Sequence, residues 1–419
     1  MNIRTRDENS QIIPFLITKL MKLILFILIG LSAETIMASD TFTFLHYNIK
    51  ELDSIKLKAN SDQIKAVKKV ISNYKFDLFS INEIQYDFPN VPTPSFQTTG
   101  ENLTQLSDLL SLKDFTEHVF APANTGLNAK TMENGHYYTN PNSPQARANA
   151  DQVNFGIVPG QYSTGLLSKY KVLSKRIFSK VKWKDFNTKI DLSKFKTADG
   201  KAYPTDTELF DKNFSDITVS INNKEVHIVL LHTVPAYNFG NPDSPNYKRN
   251  QDQLRFLEWY LTGSTDLKVQ LEGIKPLDKS DYFIASGDWN TAFDSLSNPG
   301  SLVLRRMFKK INSWIPEKNL SFTNEGYGYA EAPFRLMLDY MATSKNIEIV
   351  KGEIIHPIFK RVQLGCGKLN SSPPLTGKQI IVDWKKGSQT CRAIVDESYK
   401  LFKDASDHYP IIGTFKLNE

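Results

Sequence analysis

The sequence predicts a layered α/β domain, and three observations support this. Short apolar segments alternate with amphipathic helical segments from residue 41 to residue 417, an order typical of sheets covered by helices. Polar side chains recur at the points where the apolar segments stop. The composition, with 40% hydrophobic and 23% charged residues in 419, excludes a mainly disordered chain.

The predicted strands are short runs rich in apolar residues. In chain order they cover residues 42–49, 76–81, 164–168, 217–221, 226–232, 282–286, 338–343 and 410–415. Two helices are predicted from apolar residues at helical spacing, one at 64–74 with Asn60 or Ser61 as its cap and one at 249–261. Segments 89–94 and 124–160 are predicted as surface loops. The chain is long for a single core, and the remaining residues that the core does not need are expected near 362–390.

The N-terminal segment has the pattern of a secretory signal peptide. Lys19 and Lys22 flank the start of an apolar run at 23–31, and small residues follow through Ala38. This run is too short for a membrane span, which needs about 20 apolar residues. We therefore predict a signal peptide at 1–38, with Met21 as an alternative start, secretion or delivery to the periplasm, and no stable membrane anchor.

The two cysteines are Cys366 and Cys391. In an oxidising compartment they would form one disulfide that closes a loop of about 25 residues and stabilises the fold by roughly 3 kcal/mol. Two free thiols are the alternative. Two cysteines alone exclude a cysteine-rich zinc site.

Polar residues follow several predicted strands directly. They are Asn48, Glu83, His232, Asp288, Asn290, Asp339, Asp407 and His408. Each alone has an ordinary explanation, because a carboxylate after a strand often caps a turn or a helix. Together they form an oxygen-rich set that suits Mg²⁺, or Mn²⁺ or Ca²⁺, better than zinc. Hydrolysis of a phosphate ester needs such a cation and a base, and two histidines can supply acid and base near neutral pH.

The order of these motifs resembles the endonuclease/exonuclease/phosphatase superfamily, which has the fold of pancreatic deoxyribonuclease. The matching segments are Asn48 after the first strand, Asn-Glu-Ile-Gln at 82–85, Gly-Asp-Trp-Asn at 287–290, Asp-Tyr at 339–340 and Ser-Asp-His at 406–408. The resemblance spans residues 42–415. Gly-Gln-Tyr at 160–162, Leu-Ser-Lys-Tyr at 167–170, Arg-Asn at 249–250 and Arg-Phe at 255–256 make the chain most similar to exported bacterial members of unassigned substrate.

The resemblance implies a four-layer α/β/β/α sandwich, in which two mostly antiparallel sheets pack face to face with helices outside, formed by a single catalytic domain at 39–419. It assigns metal binding to Asn48, Glu83 and Asp407. It assigns catalysis to His232, Asp288, Asn290, Asp339 and His408. In this assignment Asp288 and Asn290 position water and phosphate, and Asp339 holds His408 as an acid/base pair.

One position departs from the deoxyribonuclease pattern. His232 matches the second catalytic histidine, which in deoxyribonuclease is supported by a further glutamate. Glu133, in the 124–160 loop, is the candidate for that glutamate. Phosphate contacts are considered for Arg147, Lys169, Lys248 and Arg249. The histidines assigned to structure or surface are His118, His136, His227 and His356.

The sequence thus predicts an exported, metal-dependent phosphodiesterase, monomeric, with nucleic acid as its substrate. The net charge of +6 favours anionic partners without requiring them. A sphingomyelinase-like or inositol-phosphatase-like enzyme is the alternative, and it would need an exposed aromatic pair for membrane contact, for which Tyr137 and Tyr138 are candidates. A non-catalytic binding module is the third interpretation, since a fold alone does not establish a function.

Overall fold

The chain was analysed as a computed structural model, which describes residues 41–88, 100–315, 322–325, 329, 335–368 and 370–418. The predicted signal peptide at 1–38 and the predicted loop at 89–94 lie outside these residues. By their contacts, residues Thr41–Glu419 form one unit. Within the described ranges, no helix is long and apolar enough to cross a membrane.

The strands occupy most of the predicted positions and several further ones. They are β1 (Thr41–Leu52), β2 (Leu78–Ile84), β3 (Glu117–Ala121), β4 (Ser163–Ser168), β5 (Val172–Ile177), β6 (Phe214–Ile221), β7 (Lys224–Leu231), β8 (Tyr282–Asp288), β9 (Asn312–Trp314), β10 (Asp339–Thr343), β11 (Ile347–Ile354), β12 (Arg361–Cys366), β13 (Gln379–Lys386), β14 (Gln389–Asp396) and β15 (Ile411–Leu417).

The helices include both predicted ones, at α2 and α6. They are α1 (Ser54–Lys58), α2 (Asp62–Ile71), α3 (Glu101–Leu110), α4 (Pro144–Asn149), α5 (Trp183–Phe186), α6 (Asn246–Thr262), α7 (Pro299–Met307) and α8 (Glu397–Ala405). Ser61 is the N-cap residue of α2, but its side chain makes no capping hydrogen bond. The α4 helix interrupts the segment predicted as the 124–160 loop.

Two six-stranded sheets form the frame of the fold. The first has the strand order β11-β15-β1-β2-β4-β3, and the second has the order β5-β6-β7-β8-β10-β9. The β1–β2 pair and the β7–β8 pair are parallel, and the other neighbours are antiparallel. The prediction of two mostly antiparallel sheets is therefore confirmed.

Strand β7 shows how the layers are held together. Its side chains alternate between two faces: Ile228 and Leu230 pack in one core with β1 and β2 of the first sheet, whereas Val229 and Leu231 pack in a second core with α6 and α7. The first core also contains apolar residues of α2 and α3. Helices therefore cover the outer faces of two packed sheets, as the predicted sandwich requires.

Residues 362–390 form part of a third sheet, which corrects their prediction as excess loop. This sheet has the order β12-β14-β13, and the Cys366–Cys391 disulfide joins β12 to β14, as predicted. Many side chains of β12 and β13 are exposed. The apolar alternation that marks a strand in sequence is therefore weak here.

The two parallel strand pairs place the strand ends that carry predicted site residues at one edge of the sandwich. Strands β1, β2, β7 and β8 end beside one another there. The antiparallel β10 begins at the same edge, because Asp339 pairs with Asp288. The residues predicted from strand ends are therefore brought to one place.

Candidate active site

Two overlapping clusters of ionisable side chains lie at this edge. Glu83, His232 and Asp288 form one, and Asp288, Asp339 and His408 form the other, with the nearest side-chain atoms in each within 4.8 Å of one another. Asp288 belongs to both. Five of the eight predicted site residues thus meet around one buried carboxylate.

Asn48 joins the carboxylates of Glu83 and Asp288. Its Nδ2 atom donates to Glu83 Oε1 and to Asp288 Oδ2, both at 3.0 Å. These two bonds fix the orientation of the Asn48 amide. Its Oδ1 atom is buried and finds no hydrogen-bond donor within the part of the chain that the structure describes.

Glu83 reaches the site because the strand bulges at this residue. In the pairing of β2 with β4, Asn82 lies opposite Thr164 and Ile84 lies opposite Ser163, so Glu83 is the extra residue. Its φ angle is 66°, in the left-handed region that a glutamate rarely adopts. A bulge redirects a side chain, and here the backbone N–H of Glu51 donates to Glu83 Oε2 at 3.0 Å.

Asp339 holds two histidines. Its Oδ2 atom lies 2.7 Å from His408 Nδ1, and its Oδ1 atom lies 3.2 Å from His46 Nε2. His46 Nδ1 in turn contacts the hydroxyl of Ser80 at 2.8 Å. With Nδ1 engaged, His408 presents its Nε2 atom to Asp288, whose Oδ2 atom is 3.7 Å away.

The charges around His408 favour its protonated form. Burial opposes protonation, but the charges of Asp339 and Asp288 and the hydrogen bond to Asp339 raise the pKa of His408 to about 10. Burial likewise opposes ionisation of Asp339, yet the His408 charge and its hydrogen bond outweigh this and hold the pKa of Asp339 well below its usual range. The pair therefore exists as imidazolium and carboxylate at neutral pH.

The pKa of Asp288, the carboxylate that both clusters share, is shifted in the opposite direction to that of Asp339. Burial raises the pKa of Asp288, against the His408 charge and with the Asp339 charge adding to the rise. Burial and the Asp407 charge similarly raise the pKa of Glu83. A dry pocket with several carboxylates favours a proton or a cation among them.

His232 is a buried, neutral imidazole. Its Nε2 atom lies 3.6 Å from Asp288 Oδ2 and 4.0 Å from Glu83 Oε1. Burial lowers its pKa well below the ordinary value, and the Lys212 charge acts in the same direction. Its Nδ1 atom has no hydrogen-bond partner among the described residues. Glu133, the residue considered as its support, is exposed on the long loop and is not among these contacts.

Asn290 and Asp407 lie beside the two clusters. Asn290 donates its backbone N–H to Asp288 Oδ1 at 2.8 Å and its Nδ2 to the Thr233 carbonyl at 3.0 Å. The Asp407 carboxylate lies 3.8 Å from Lys50 Nζ. Asp407 belongs to neither cluster of ligand atoms, although its charge acts on both Glu83 and His408.

Three residues that fix the site were given no role from the sequence. His46 contacts Asp339, as described above. Asn82 accepts the backbone N–H of Asp288 at 3.0 Å and so ties β2 of one sheet to β8 of the other. Ser406 donates to the Asn48 carbonyl at 2.7 Å. The spacing of two residues between His46 and Asn48 was a usable signal, because such residues share one face of a strand.

The cations considered as phosphate contacts lie in different settings. Arg249 is 1% exposed, and its guanidinium donates to three backbone carbonyls and to Asn154 Oδ1. It is therefore a structural residue. Lys169 pairs with Asp77 at 3.4 Å, and Lys248 with Asp252 at 3.5 Å.

The donor set fits a divalent cation. Glu83 and Asp288 supply carboxylates, and the buried Oδ1 of Asn48, which has no donor among the described residues, is an acceptor that a cation would satisfy. Oxygen ligands of this kind are the ones that Mg²⁺, Mn²⁺ and Ca²⁺ prefer. Of the three residues predicted to bind metal, Asn48 and Glu83 lie together beside His232 and Asp288, whereas Asp407 belongs to neither cluster of ligand atoms.

Comparison with known proteins gives a likeness in structure alone. The sequence matches no family model and no curated protein sequence. An endonuclease/exonuclease/phosphatase from Beutenbergia cavernae has a TM-score of 0.50 at 14% identity, over 90% of this chain and 72% of that chain. A Leptotrichia buccalis protein of the same family gives 0.44 at 11%, over 90% and 100%. Staphylococcus aureus beta toxin with bound magnesium ions gives 0.42 at 14%, over 90% and 99%.

The fold is therefore that of the endonuclease/exonuclease/phosphatase proteins, which confirms the resemblance and the predicted sandwich.

Proposed function

We propose that this protein is an exported, divalent-metal-dependent phosphodiesterase that acts on nucleic acid. The observation that carries the proposal is the pair of clusters that share Asp288. One offers oxygen ligands with an unsatisfied buried acceptor on Asn48. The other holds a charged His408 against Asp339. Together they combine a cation site with an acid/base pair, which phosphate ester hydrolysis needs.

Glu83, Asn48 and Asp407 would hold the metal, with Asp288 beside them. A divalent cation bound there neutralises phosphoryl oxygens and favours attack by water. The bond from phosphorus to the leaving ester oxygen breaks as water attacks, and His408, protonated near neutral pH, gives its proton to that oxygen while Asp339 keeps its ring in place. Asp288, whose pKa is raised by burial, accepts a proton from the attacking water. Asn290 and His232 orient the phosphate.

Export and the nucleic-acid substrate are argued from the sequence and from the disulfide. The signal-peptide pattern at 1–38 favours export, and the net charge of +6 favours a polyanion. The protein also has the Cys366–Cys391 disulfide, and disulfides are more common in exported proteins.

Hydrolysis assays test the proposal. Purified protein is assayed on plasmid DNA and bis-p-nitrophenyl phosphate with Mg²⁺, Mn²⁺, Ca²⁺ or EDTA. We expect metal-dependent cleavage that falls about 10²–10⁴-fold in His408→Ala and Glu83→Gln. His136→Ala is the matched control, because His136 is exposed on the long loop. Unchanged activity in His408→Ala would refute the site, and inactivity of the wild type would favour a binding module.

A lipid phosphodiester is the second candidate substrate, favoured by one observation. Tyr137 and Tyr138 are half-buried against a small apolar cluster, so they are not the exposed pair considered from the sequence. Tyr237 and Phe239, which follow His232, are 56% and 68% exposed with ring centroids 5.0 Å apart. Exposed aromatic side chains suit a membrane interface.

Vesicle binding distinguishes this candidate. If the substrate is lipid, sphingomyelin vesicles should bind the wild type and cosediment much less with a Tyr237→Ala, Phe239→Ala double variant. Ile381→Ala is the control, since Ile381 is an exposed apolar residue of the third sheet, at 44% exposure. Hydrolysis of DNA together with no vesicle binding would eliminate the lipid substrate.

A further inference from the structure

A cavity of about 240 Å³ is linked to the candidate metal site by Glu51, which lines the cavity and is hydrogen-bonded to Glu83. Its lining includes Gln85, Glu51, Ile55, Tyr138, Ile157 and Val158. Glu51 donates its backbone N–H to Glu83 Oε2 at 3.0 Å while its side chain lines the cavity. Gln85 follows Glu83 by two residues. A group bound in this cavity would therefore be a near neighbour of a phosphate at the metal site.

Gln85, which lines the cavity, has a buried side-chain donor without an acceptor among the described residues. The residue is 3% exposed, and its Oε1 atom accepts the backbone N–H of Ser54 at 3.2 Å. This bond fixes which end of the amide is nitrogen. The Nε2 atom is buried, and no acceptor for it lies in the ranges that the structure describes. A buried N–H without an acceptor is costly, so a ligand acceptor would complete the site.

The apolar part of the lining is held in place. Ile157 donates its backbone N–H to Gln161 Oε1 at 2.7 Å, and the Tyr138 hydroxyl accepts from Asn149 Nδ2 at 3.2 Å. The Ile157 and Val158 side chains are 3% and 7% exposed. The cavity is thus preformed, which reduces the ordering that a ligand would have to impose.

The charges at the cavity do not favour a second phosphate. Glu51 and Asp53 bring two carboxylates against the single ammonium of Lys56. Glu51 Oε1 accepts from the Tyr162 hydroxyl at 3.2 Å, and Asp53 Oδ1 accepts the Lys56 backbone N–H at 2.7 Å. A neutral group with a hydrogen-bond acceptor and a flat apolar surface fits best.

We infer that this cavity binds one unstacked nucleobase of the nucleotide next to the cleaved phosphate, with Gln85 Nε2 donating to an acceptor on the base. The inference rests on the proposed phosphodiesterase function and specifies its substrate. Nucleobases combine edge acceptors with an apolar face and are read in this way once they leave the stack. A base must leave the stack to enter the cavity, so single-stranded substrate is preferred to duplex. A choline headgroup has no acceptor for Gln85.

The test compares two small esters with the same leaving group. Wild-type protein should hydrolyse thymidine 5′-p-nitrophenyl phosphate with a kcat/KM about tenfold above that for methyl p-nitrophenyl phosphate, and Gln85→Met should lose this preference. Ile55→Trp should lose it too, because Ile55 is 46% exposed and a larger side chain there fills the cavity. Leu173→Trp, at a site 43% exposed on β5, should keep it.

The outcomes separate this inference from the proposed function. Equal hydrolysis of both esters, or a preference that neither variant alters, overturns the nucleobase site and leaves the phosphodiesterase. A preference for p-nitrophenylphosphorylcholine overturns it in favour of a cationic headgroup. If the wild type cleaves no diester, the proposed function fails, and calorimetric titration with thymidine then tests the nucleobase site by itself. Thymidine binding that is lost in Gln85→Met supports the nucleobase site. No thymidine binding by the wild type refutes it.

Discussion

His46 and Asn48 lie on the same face of β1 and contact different parts of the site. His46 supports Asp339, and Asn48 supports Glu83 and Asp288. Asp339 is the residue on which the second cluster depends, because it alone contacts both His46 and His408 among the described side chains. At this scale, a carboxylate fixes the ring orientation and the charge of its histidine.

Replacing the Asp339 carboxylate by an amide tests its electrostatic role. Asp339 raises the pKa of His408, so Asp339→Asn should lower that pKa. If the protonated His408 is the active form, the loss of activity at alkaline pH should then begin at lower pH than in the wild type. We expect kcat/KM to fall about 10²–10⁴-fold at neutral pH, measured across pH 5–10.

The control for this prediction is Asp62→Asn. The Asp62 side chain is 94% exposed on α2, so the same chemical change there should leave the profile unaltered. A variant at Asp339 whose alkaline limb does not move would show that its carboxylate does not set the protonation of His408.

Near its end, strand β8 has one position, residue 287, at which only glycine fits. Gly287 has a φ angle of 149°, and a Cβ atom at this position would lie 1.9 Å from the Leu231 carbonyl oxygen of β7. The close approach of the two parallel strands places Asp288 and His232 side by side. A side chain at 287 would force them apart.

Gly287→Ala should therefore destabilise the protein and displace the site. We expect Gly287→Ala to lose about 1–3 kcal/mol more in the free energy of unfolding than Gly200→Ala does, measured by urea denaturation, together with lower activity of the folded fraction. Gly200→Ala is the comparison, because Gly200 has φ of 80° with no atom within 4 Å of its Cβ position. It should lose only about 1–2 kcal/mol and keep full activity. Equal effects would attribute the cost to backbone conformation alone.

Prediction at the element scale succeeded where burial was strong. The central strands β1, β2, β7 and β8 are almost fully buried, and their apolar runs are plain in the sequence. Strands β5 and β12 have few buried side chains and were missed. Hydrophobic periodicity reports contact with a core, so a strand at a sheet edge or in a small separate sheet gives little signal.

At the scale of the whole molecule, a buried ionic cluster joins the second sheet to α6. Asp216 of β6 is bonded by Arg176, by the Tyr260 hydroxyl at 2.6 Å and by His227 Nδ1 at 2.9 Å. Burial opposes its ionisation, but the His227 hydrogen bond and charge and the Tyr260 bond outweigh this and lower the pKa of Asp216. His227 is thus structural, as predicted.

This cluster makes stability depend on pH in one direction. Because the folded-state pKa of Asp216 is depressed, its contribution is present above the unfolded pKa of about 3.9 and is lost as pH falls through the folded value. Asp216→Asn should cost about 3 kcal/mol at pH 7, and the difference from wild type should shrink below about pH 4. Urea denaturation at pH 7, 5 and 3.5 measures this. A difference that is constant over this range would contradict it.

Local sequence patterns were enough to predict the outline of the fold and the polar residues at the strand ends. Local patterns placed Glu83, Asp288 and His408 at the ends of buried segments, and two cysteines left one possible pair. The tertiary structure alone decided which atoms meet. His46 contacts Asp339 across 293 residues, and Asn82 accepts from Asp288 across 206, while Gln85 Nε2 is left without an acceptor among the described residues. Such contacts depend on how two sheets pack, and local periodicity carries no information about that.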